Sequence, residues 1–280
     1  MDNAPIGIFD SGLGGLTVAR AIIDQLPDED IVYLGDTAHA PYGPRPIAEV
    51  RQLTLWGLDR LVEAGAKALV IACNTATAAA LSDARERYWV GQRIPVIEVI
   101  PPAARAAVVA THNRKIGVIG TQATIQSEAY VNALAAVPGL RVFQQACPLF
   151  VQYVEAGQTA GPELEGIARE YLAPLKKEGV DTLILGCTHY PLLTGVIGRV
   201  MGDTVRLVTS SATTANVTYN ELVDRDLLHA PRLGAGDEPQ HQFLTTDASS
   251  RFPILARRFL GPEVQSVSEV PALPLEGGAQ

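Results

Sequence analysis

The chain has 280 residues, 47% of them hydrophobic, enough to build the cores of two domains of ordinary size. Its formal charge is −8, from 22 basic and 30 acidic side chains, and no basic block is interleaved with aromatics, so nucleic acid is not expected as a principal ligand. No apolar run approaches the ~20 residues that span a bilayer; the N-terminal segment, broken by Asp10 and glycines, is not read as a secretory signal.

Three widely spaced cysteines suit a reducing cytoplasmic setting better than a disulfide framework. Ile6–Phe9 reads as a buried strand, followed by Asp10-Ser11-Gly12-Leu13-Gly14-Gly15 and a helical period over residues 17–25. Gly12 and Gly14 open like a dinucleotide fingerprint, but Thr17 stands where the third glycine belongs. The better reading is a glycine-rich turn whose N–H groups hold a carboxylate, with Asp10 orienting a base or holding an ammonium group. A strand over residues 30–34 leads into Asp36–Arg45, too rich in proline and glycine for a helix. In that rigid loop Tyr42 and the Gly43 amide are candidate donors to a small anion.

A helical period over residues 47–64 precedes a strand at 67–72, which empties into Cys73-Asn74-Thr75 and a helix over 76–87. Arg85-Glu86-Arg87, like Arg257-Arg258 later, reads as a solvated helix face. Strand 95–99 follows, with Pro101-Pro102 as a crossing point between domains, then helix 103–111, strand 115–119 and helix 127–136. Thr182–Gly186 is another aliphatic strand, ending in Cys187-Thr188-His189, and strands are read again at 205–208 and 242–245. Strands alternating with helices imply α/β architecture with parallel sheets flanked by helices. Residues 1–98 with 210–270 are assigned to a first lobe, 99–209 to a second, and 271–280 to a flexible tail.

The two lobes read as copies. Ile6-Gly7-Ile8-Phe9 is similar to Ile116-Gly117-Val118-Ile119, and the offset between them nearly equals that between Cys73 and Cys187. Loops at the carboxyl ends of parallel strands are where α/β sheets hold ligands. Two thiols delivered this way suggest one acid/base group on each side of a carbon. Hydrogen-bonding neighbours and helix N-termini would draw each thiol toward thiolate. Cys147 reads as a buried hydrophobe, and His39, His112, His229 and His241 have no paired context. A Cys–His hydrolase built on Cys187 and His189 would leave Cys73 unexplained. No C-x-x-C or H-x-x-x-H spacing supports a metal, and none of the four lysines (67, 115, 176, 177) is placed for a pyridoxal phosphate Schiff base.

These motifs resemble those of the cofactor-independent glutamate racemases, in the wider aspartate/glutamate racemase superfamily. The likeness rests on Asp10–Leu16, Ala40-Pro41-Tyr42-Gly43, Ala72–Ala76 and Gly186–Leu193, with support from Gly120-Thr121 through Tyr130 and from Cys147–Phe150 with Glu155. It implies two pseudo-symmetric lobes facing across a cleft, Cys73 and Cys187 as the acid/base pair, and no cofactor and no metal. It also implies substrate contacts from Asp10, Ser11, Tyr42, Gly43, Asn74, Thr75, Thr121, Thr124, Thr188 and His189. Asp10 falls to Cys73 as its helper and His189 to Cys187, with Glu155 a second helper. His39, Gln152-Tyr153 and Ser210 depart from the usual pattern. The resemblance carries a role in supplying D-glutamate for peptidoglycan in the cytoplasm. The implied partner is a small molecule, not nucleic acid or membrane; a homodimer is compatible with a sequence that fixes no oligomeric arrangement. Alternatives are a racemase of aspartate or another amino acid, and a non-catalytic amino-acid-binding protein.

Overall fold

The computed structural model describes residues 1–232, 234, 237–248, 252–264 and 266–275. In chain order the elements are β1 (Ile6–Asp10), α1 (Leu16–Gln25), β2 (Ile31–Gly35), α2 (Ile47–Glu63), β3 (Ala68–Ile71), α3 (Asn74–Ala84), β4 (Val96–Glu98) and α4 (Ile100–Ala110). They continue with β5 (Lys115–Gly120), α5 (Gln122–Gln126), α6 (Ala129–Leu134), β6 (Arg141–Ala146), α7 (Pro148–Glu155), α8 (Pro162–Glu178), β7 (Thr182–Gly186) and α9 (Thr194–Met201). The chain closes with β8 (Arg206–Thr209), α10 (Ser210–Asp224), β9 (His241–Thr245), α11 (Phe252–Leu260) and β10 (Val267–Glu269).

Two parallel sheets result, in the orders β10-β9-β2-β1-β3-β4 and β6-β5-β7-β8. The order β2-β1-β3-β4 recurs as β6-β5-β7-β8, so β1 answers to β5 and β3 to β7. This is the repeat seen in the sequence. In each sheet the chain leaves the first central strand toward one edge and the second toward the other, which opens a crevice at the carboxyl ends of the pair. β1, β3 and β7 are buried along their whole length, as their unbroken aliphatic runs require.

One apolar cluster runs under both sheets, joining Ile6, Ile8 and Val70 to Ile116, Val118 and Ile184 through α1, α4, α6 and α10. The outer faces have separate clusters, one around Phe9, Leu53 and Tyr88 and one around Phe150, Leu172 and Tyr190. Leu273 and Leu275 pack against the first of these; residues 276–280 of the expected tail lie outside the described residues. Arg257 is exposed, and the side chain of Arg258 lies outside the description.

Three local readings gain detail. Pro101 and Pro102 occupy the first turn of α4, where a missing N–H costs nothing, and α4 connects β4 of one sheet to β5 of the other. The helix expected over 127–136 is shorter, Ala129–Leu134, and is set off from the preceding α5 (Gln122–Gln126) by Glu128, whose φ is 54°. The helix after Cys73 starts earlier and continues as a π-turn over Arg85–Val90.

At the opposite end of the first sheet from Cys73, Lys67 Nζ lies 2.6 Å from Glu29 Oε2, with both side chains almost fully buried. Its ammonium also donates to the Asp2 carbonyl, and Glu29 Oε1 accepts from the His229 N–H at 2.7 Å. Removing one partner strands a buried charge. Lys67→Met should therefore lower the unfolding free energy by about 3–5 kcal/mol in a urea titration, without altering any activity of the folded fraction. Equal stability would show that the pair contributes little.

Candidate active site

The loops after β1, β3, β5 and β7 converge on one cavity of about 180 Å³, below the ~300–1,000 Å³ usual for drug-sized ligands. Ser11, Tyr42, Gly43, Cys73, Asn74 and Thr75 line it from the first sheet, and Thr121, Glu155, Cys187, Thr188 and His189 from the second. Asp10 and Thr124 are fully buried and lie behind this lining. The sequence reading had not picked out Gln122, Pro148 or Val151, contributed by α5 and α7. Pro148 and Val151 are apolar, and beyond Gln152 and Glu155 nothing polar marks this face of α7.

Asp10 organises the floor. Its Oδ2 accepts from the Gly12 N–H at 2.9 Å, and the Gly15 N–H also bonds to the carboxylate. The amides of the glycine turn, read as a cradle for an outside carboxylate, are thus taken by the turn's own aspartate. Thr188 Oγ1 donates to Asp10 Oδ1 across the lobes at 3.5 Å. Gly14 explains the fit: a Cβ there would sit 2.2 Å from Thr188 Oγ1 and 2.6 Å from His189 Nδ1. Burial raises the Asp10 pKa above the usual carboxylate range, while nearby His189 and the two amides restrain the rise.

Cys73 is the N-cap of α3, and its Sγ accepts from the Ala76 N–H at 3.5 Å. The thiol also reaches Ser11 Oγ at 3.5 Å. A shift toward thiolate was expected from this position, and the opposite holds. Burial and the Asp10 charge push the thiol up to about 12, outweighing Ser11 and the helix amide. Cys73 therefore rests as a protonated acid.

Cys187 has different surroundings. It is followed by a 3-10 turn over Tyr190–Leu193, not by an α-helix N-terminus. Its Sγ is 3.7 Å from His189 Nδ1, and His189 Nε2 is 3.3 Å from Glu155 Oε1. Burial works to lower the imidazolium's pKa, but the Cys187 sulfur and the Glu155 carboxylate overcome it and hold it up at about 10. A positive charge stands beside one thiol and a negative charge beside the other.

The donors complete the picture. Asn74 lines the cavity; among the described residues its buried Nδ2 has no hydrogen-bond partner, while its Oδ1 accepts from Tyr130. Thr75, Thr121 and Thr124 form a triangle of hydroxyls across the lobes, at 2.9, 3.0 and 3.3 Å. Among the described residues nothing accepts from the Gly43 N–H, whose carbonyl takes the Ala123 N–H from the other lobe. The Tyr42 hydroxyl, expected to face an anion, is instead committed to Asp36 Oδ2 at 2.6 Å. Asp36 also bonds His39 Nδ1 at 2.9 Å and Thr246 Oγ1 at 2.8 Å, giving His39 the paired context its sequence neighbours did not suggest. Cys147 is buried with its thiol pushed up, as befits a core residue. Among the described residues no cluster of His, Cys, Asp and Glu could hold a metal ion, and no helix is long and apolar enough to cross a membrane.

The profile of the Asp/Glu/hydantoin racemase family matches residues 6–218. A glutamate racemase of Parafrankia sp. is 59% identical over 272 residues, covering 97% of this chain and 96% of that protein. A crystal structure of a glutamate racemase isoform from Bacillus anthracis superposes with a TM-score of 0.88 at 42% identity, covering 97% of this chain and 98% of the other. The glutamate racemase of Francisella tularensis, solved with D-glutamate, also gives 0.88, at 35% identity over 97% and 99% of the two chains. The chain belongs to the Asp/Glu/hydantoin racemase family.

The like charge of Asp10 gives a direct test of the Cys73 environment. Replacing it with asparagine removes repulsion from the thiolate, so the Cys73 pKa falls and the thiolate fraction at a fixed alkaline pH rises. Asp10→Asn should speed iodoacetamide labelling of the Cys73 peptide, read by mass spectrometry, and shift its pH profile to lower pH. An unmoved profile would mean that burial alone sets this thiol.

Proposed function

We propose that this protein interconverts L- and D-glutamate by proton transfer at Cα between two cysteines, without a cofactor. The observation that carries the reading is the pair of thiols at equivalent strand ends of two repeated sheets, both opening on one cavity. Residues 1–98 with 210–270 act as one lobe and 99–209 as the other, so each lobe offers its thiol to one face of the bound carbon. Cys73, Cys187, Asp10, His189 and Glu155 carry the chemistry. Ser11, Gly43, Asn74, Thr75, Thr121 and Thr188 hold the substrate; Tyr42 shapes the loop, and Thr124 backs the hydroxyl triangle.

A proton leaves Cα to a Cys187 thiolate, whose charge is compensated by the His189 imidazolium. The C–H electron pair remains on Cα and spreads into the α-carboxylate. Cys73 then gives its S–H proton to the opposite face, leaving a neutral Cys187 thiol and a Cys73 thiolate. Reaction from the other enantiomer starts from that second state. Cα–H is a very weak acid, so the developing carboxylate charge needs preorganised donors in a site shielded from water. The Asn74 amide, the Gly43 N–H and the threonine hydroxyls are placed for that work. Widely separated polar contacts select for chain length, since a shorter diacid leaves buried donors unpaired. We place the reaction in the cytoplasm, supplying D-glutamate to peptidoglycan synthesis, with neither nucleic acid nor membrane as principal ligand.

Incubating the purified protein with either enantiomer in D2O, without added cofactor, should bring deuterium to Cα and drive optical rotation to zero. No exchange would refute the reading, and equal efficiency with aspartate would move the substrate assignment. Cys73→Ser and Cys187→Ser should each lower turnover by about 10²- to 10⁴-fold with the fold retained by circular dichroism. Wild-type turnover in either variant would exclude a two-thiol mechanism.

The helpers give a finer test. Because the equilibrium constant is unity, kcat/KM must be the same in both directions for any variant. Asymmetry can appear only in kcat and KM separately. Loss of one charge-assisted contact is worth about 1.5–3 kcal/mol, or roughly 10- to 150-fold. Asp10→Asn and His189→Asn should leave measurable activity and lower kcat more in one direction than in the other, with opposite bias. Matching losses in both directions would dissolve the pairing of helper to thiol.

A further inference from the structure

Tyr130 lies outside the cavity lining and has no role in the steps above, yet it is fully buried between the two cysteine loops. Its hydroxyl donates to Asn74 Oδ1 at 2.7 Å, across the lobes. Asn74 is the residue directly after Cys73. On the other side, the ring lies against Gly186, the residue directly before Cys187: a Cβ there would come within 2.8 Å of Tyr130 Cε2 and 2.8 Å of the Ile119 carbonyl. One side chain thus touches the neighbours of both thiols.

In the structure the Tyr130 hydroxyl donates to Asn74 Oδ1, which fixes the orientation described for the amide. With Oδ1 occupied by a donor, the buried Nδ2 has no hydrogen-bond partner among the described residues, and Asn74 itself lines the cavity. A buried donor left unmade is costly, and the arrangement is sensible only if a ligand acceptor completes it. Phenylalanine could fill the same space but could not fix the amide. A buried tyrosine hydroxyl needs a partner of its own, and here that partner is a residue of the opposite lobe. Burial and the nearby charge of Glu98 keep the phenol protonated, and so a donor, across the working pH range.

We propose that Tyr130 is a positioning residue that links the two cysteine loops, with its ring on Gly186 and its hydroxyl aiming Asn74 Nδ2 at a substrate carboxylate. The proposal rests on the racemase reading for its ligand, but not for its geometry.

Tyr130→Phe removes one oxygen and no packing surface. It should lower kcat/KM by about three- to tenfold, equally from both enantiomers, with the melting temperature nearly kept. In an Asn74→Ala background the same substitution should have no further effect on kcat/KM, since there is no amide left to aim. Unchanged kcat/KM in Tyr130→Phe, or an equal loss with and without Asn74, would overturn the proposal. A measurement without substrate separates this from the function itself. In ¹⁵N-labelled protein the Asn74 side-chain amide pair, identified by its loss in Asn74→Ala, should shift and broaden in Tyr130→Phe. Should that variant not fold, the Tyr130 hydroxyl proton of the wild type should be visible, shielded from water, and should move or vanish in Asn74→Ala. An unmoved amide pair or hydroxyl proton would refute the link even in an active racemase. Conversely, a moved signal in a protein that never exchanges Cα–H would uphold the link and refute the reaction.

Discussion

The site depends on a carboxylate with no exposed surface. Asp10 ends β1, and burying its charge demands donors; the chain supplies them by turning at once, so that the Gly12 and Gly15 amides reach back to it. The turn is then tight enough for Gly14 to meet Thr188 and His189 of the other lobe with no room for a side chain. Thr188 completes the carboxylate's contacts from across the cleft, and Thr17 Oγ1 donates to the Thr188 carbonyl at 3.1 Å. A local need for hydrogen bonds thus becomes the contact that registers one lobe on the other.

The same charge breaks the symmetry that the duplication would otherwise impose. The two sheets repeat one strand order, and the thiols occupy equivalent ends, yet Cys73 faces an aspartate and Cys187 a histidine backed by Glu155. A racemase needs an acid and a base at once, and two identical environments would leave both thiols in the same state. Opposite neighbouring charges push one sulfur toward the thiol and set a counter-ion beside the other. On the two-thiol reading proposed above, that asymmetry is what distinguishes the two roles.

The fold was legible in the sequence because buried parallel strands leave uninterrupted aliphatic runs. Ala68–Ile71 and Thr182–Gly186 are such runs, and the matched cysteines after them exposed the duplication. Less was legible where the determinant was a neighbour distant in sequence. Pattern alone placed Cys73 at a helix start and suggested a lowered pKa; burial and a carboxylate sixty-odd residues away reversed the sign. Tyr42 looked like an anion donor because its hydroxyl's partner, Asp36, is itself buried and held by Thr246 from the far end of the chain. Tyr130 carried no signal beyond its place in a family motif, since its meaning lies in two contacts made on opposite lobes.

Those contacts are of two kinds. The apolar cluster beneath the sheets is continuous from Ile6 to Ile184 and holds the lobes together on one side without directional demands. Above it, at the strand ends, the lobes meet through hydrogen bonds: the threonine triangle, Ala123 on the Gly43 carbonyl, Thr188 on Asp10 and Tyr130 on Asn74. Apolar packing tolerates small rotations, whereas hydrogen bonds between hydroxyls exchange readily for bonds to water or to a carboxylate. Of these, the Thr75 and Thr121 hydroxyls line the cavity, whereas the bonds to Asp10 and from Tyr130 lie behind its lining. A dicarboxylate entering between the lobes would replace hydroxyl partners with stronger charge-assisted ones, exchanging direct bonds between the lobes for bonds made through the ligand.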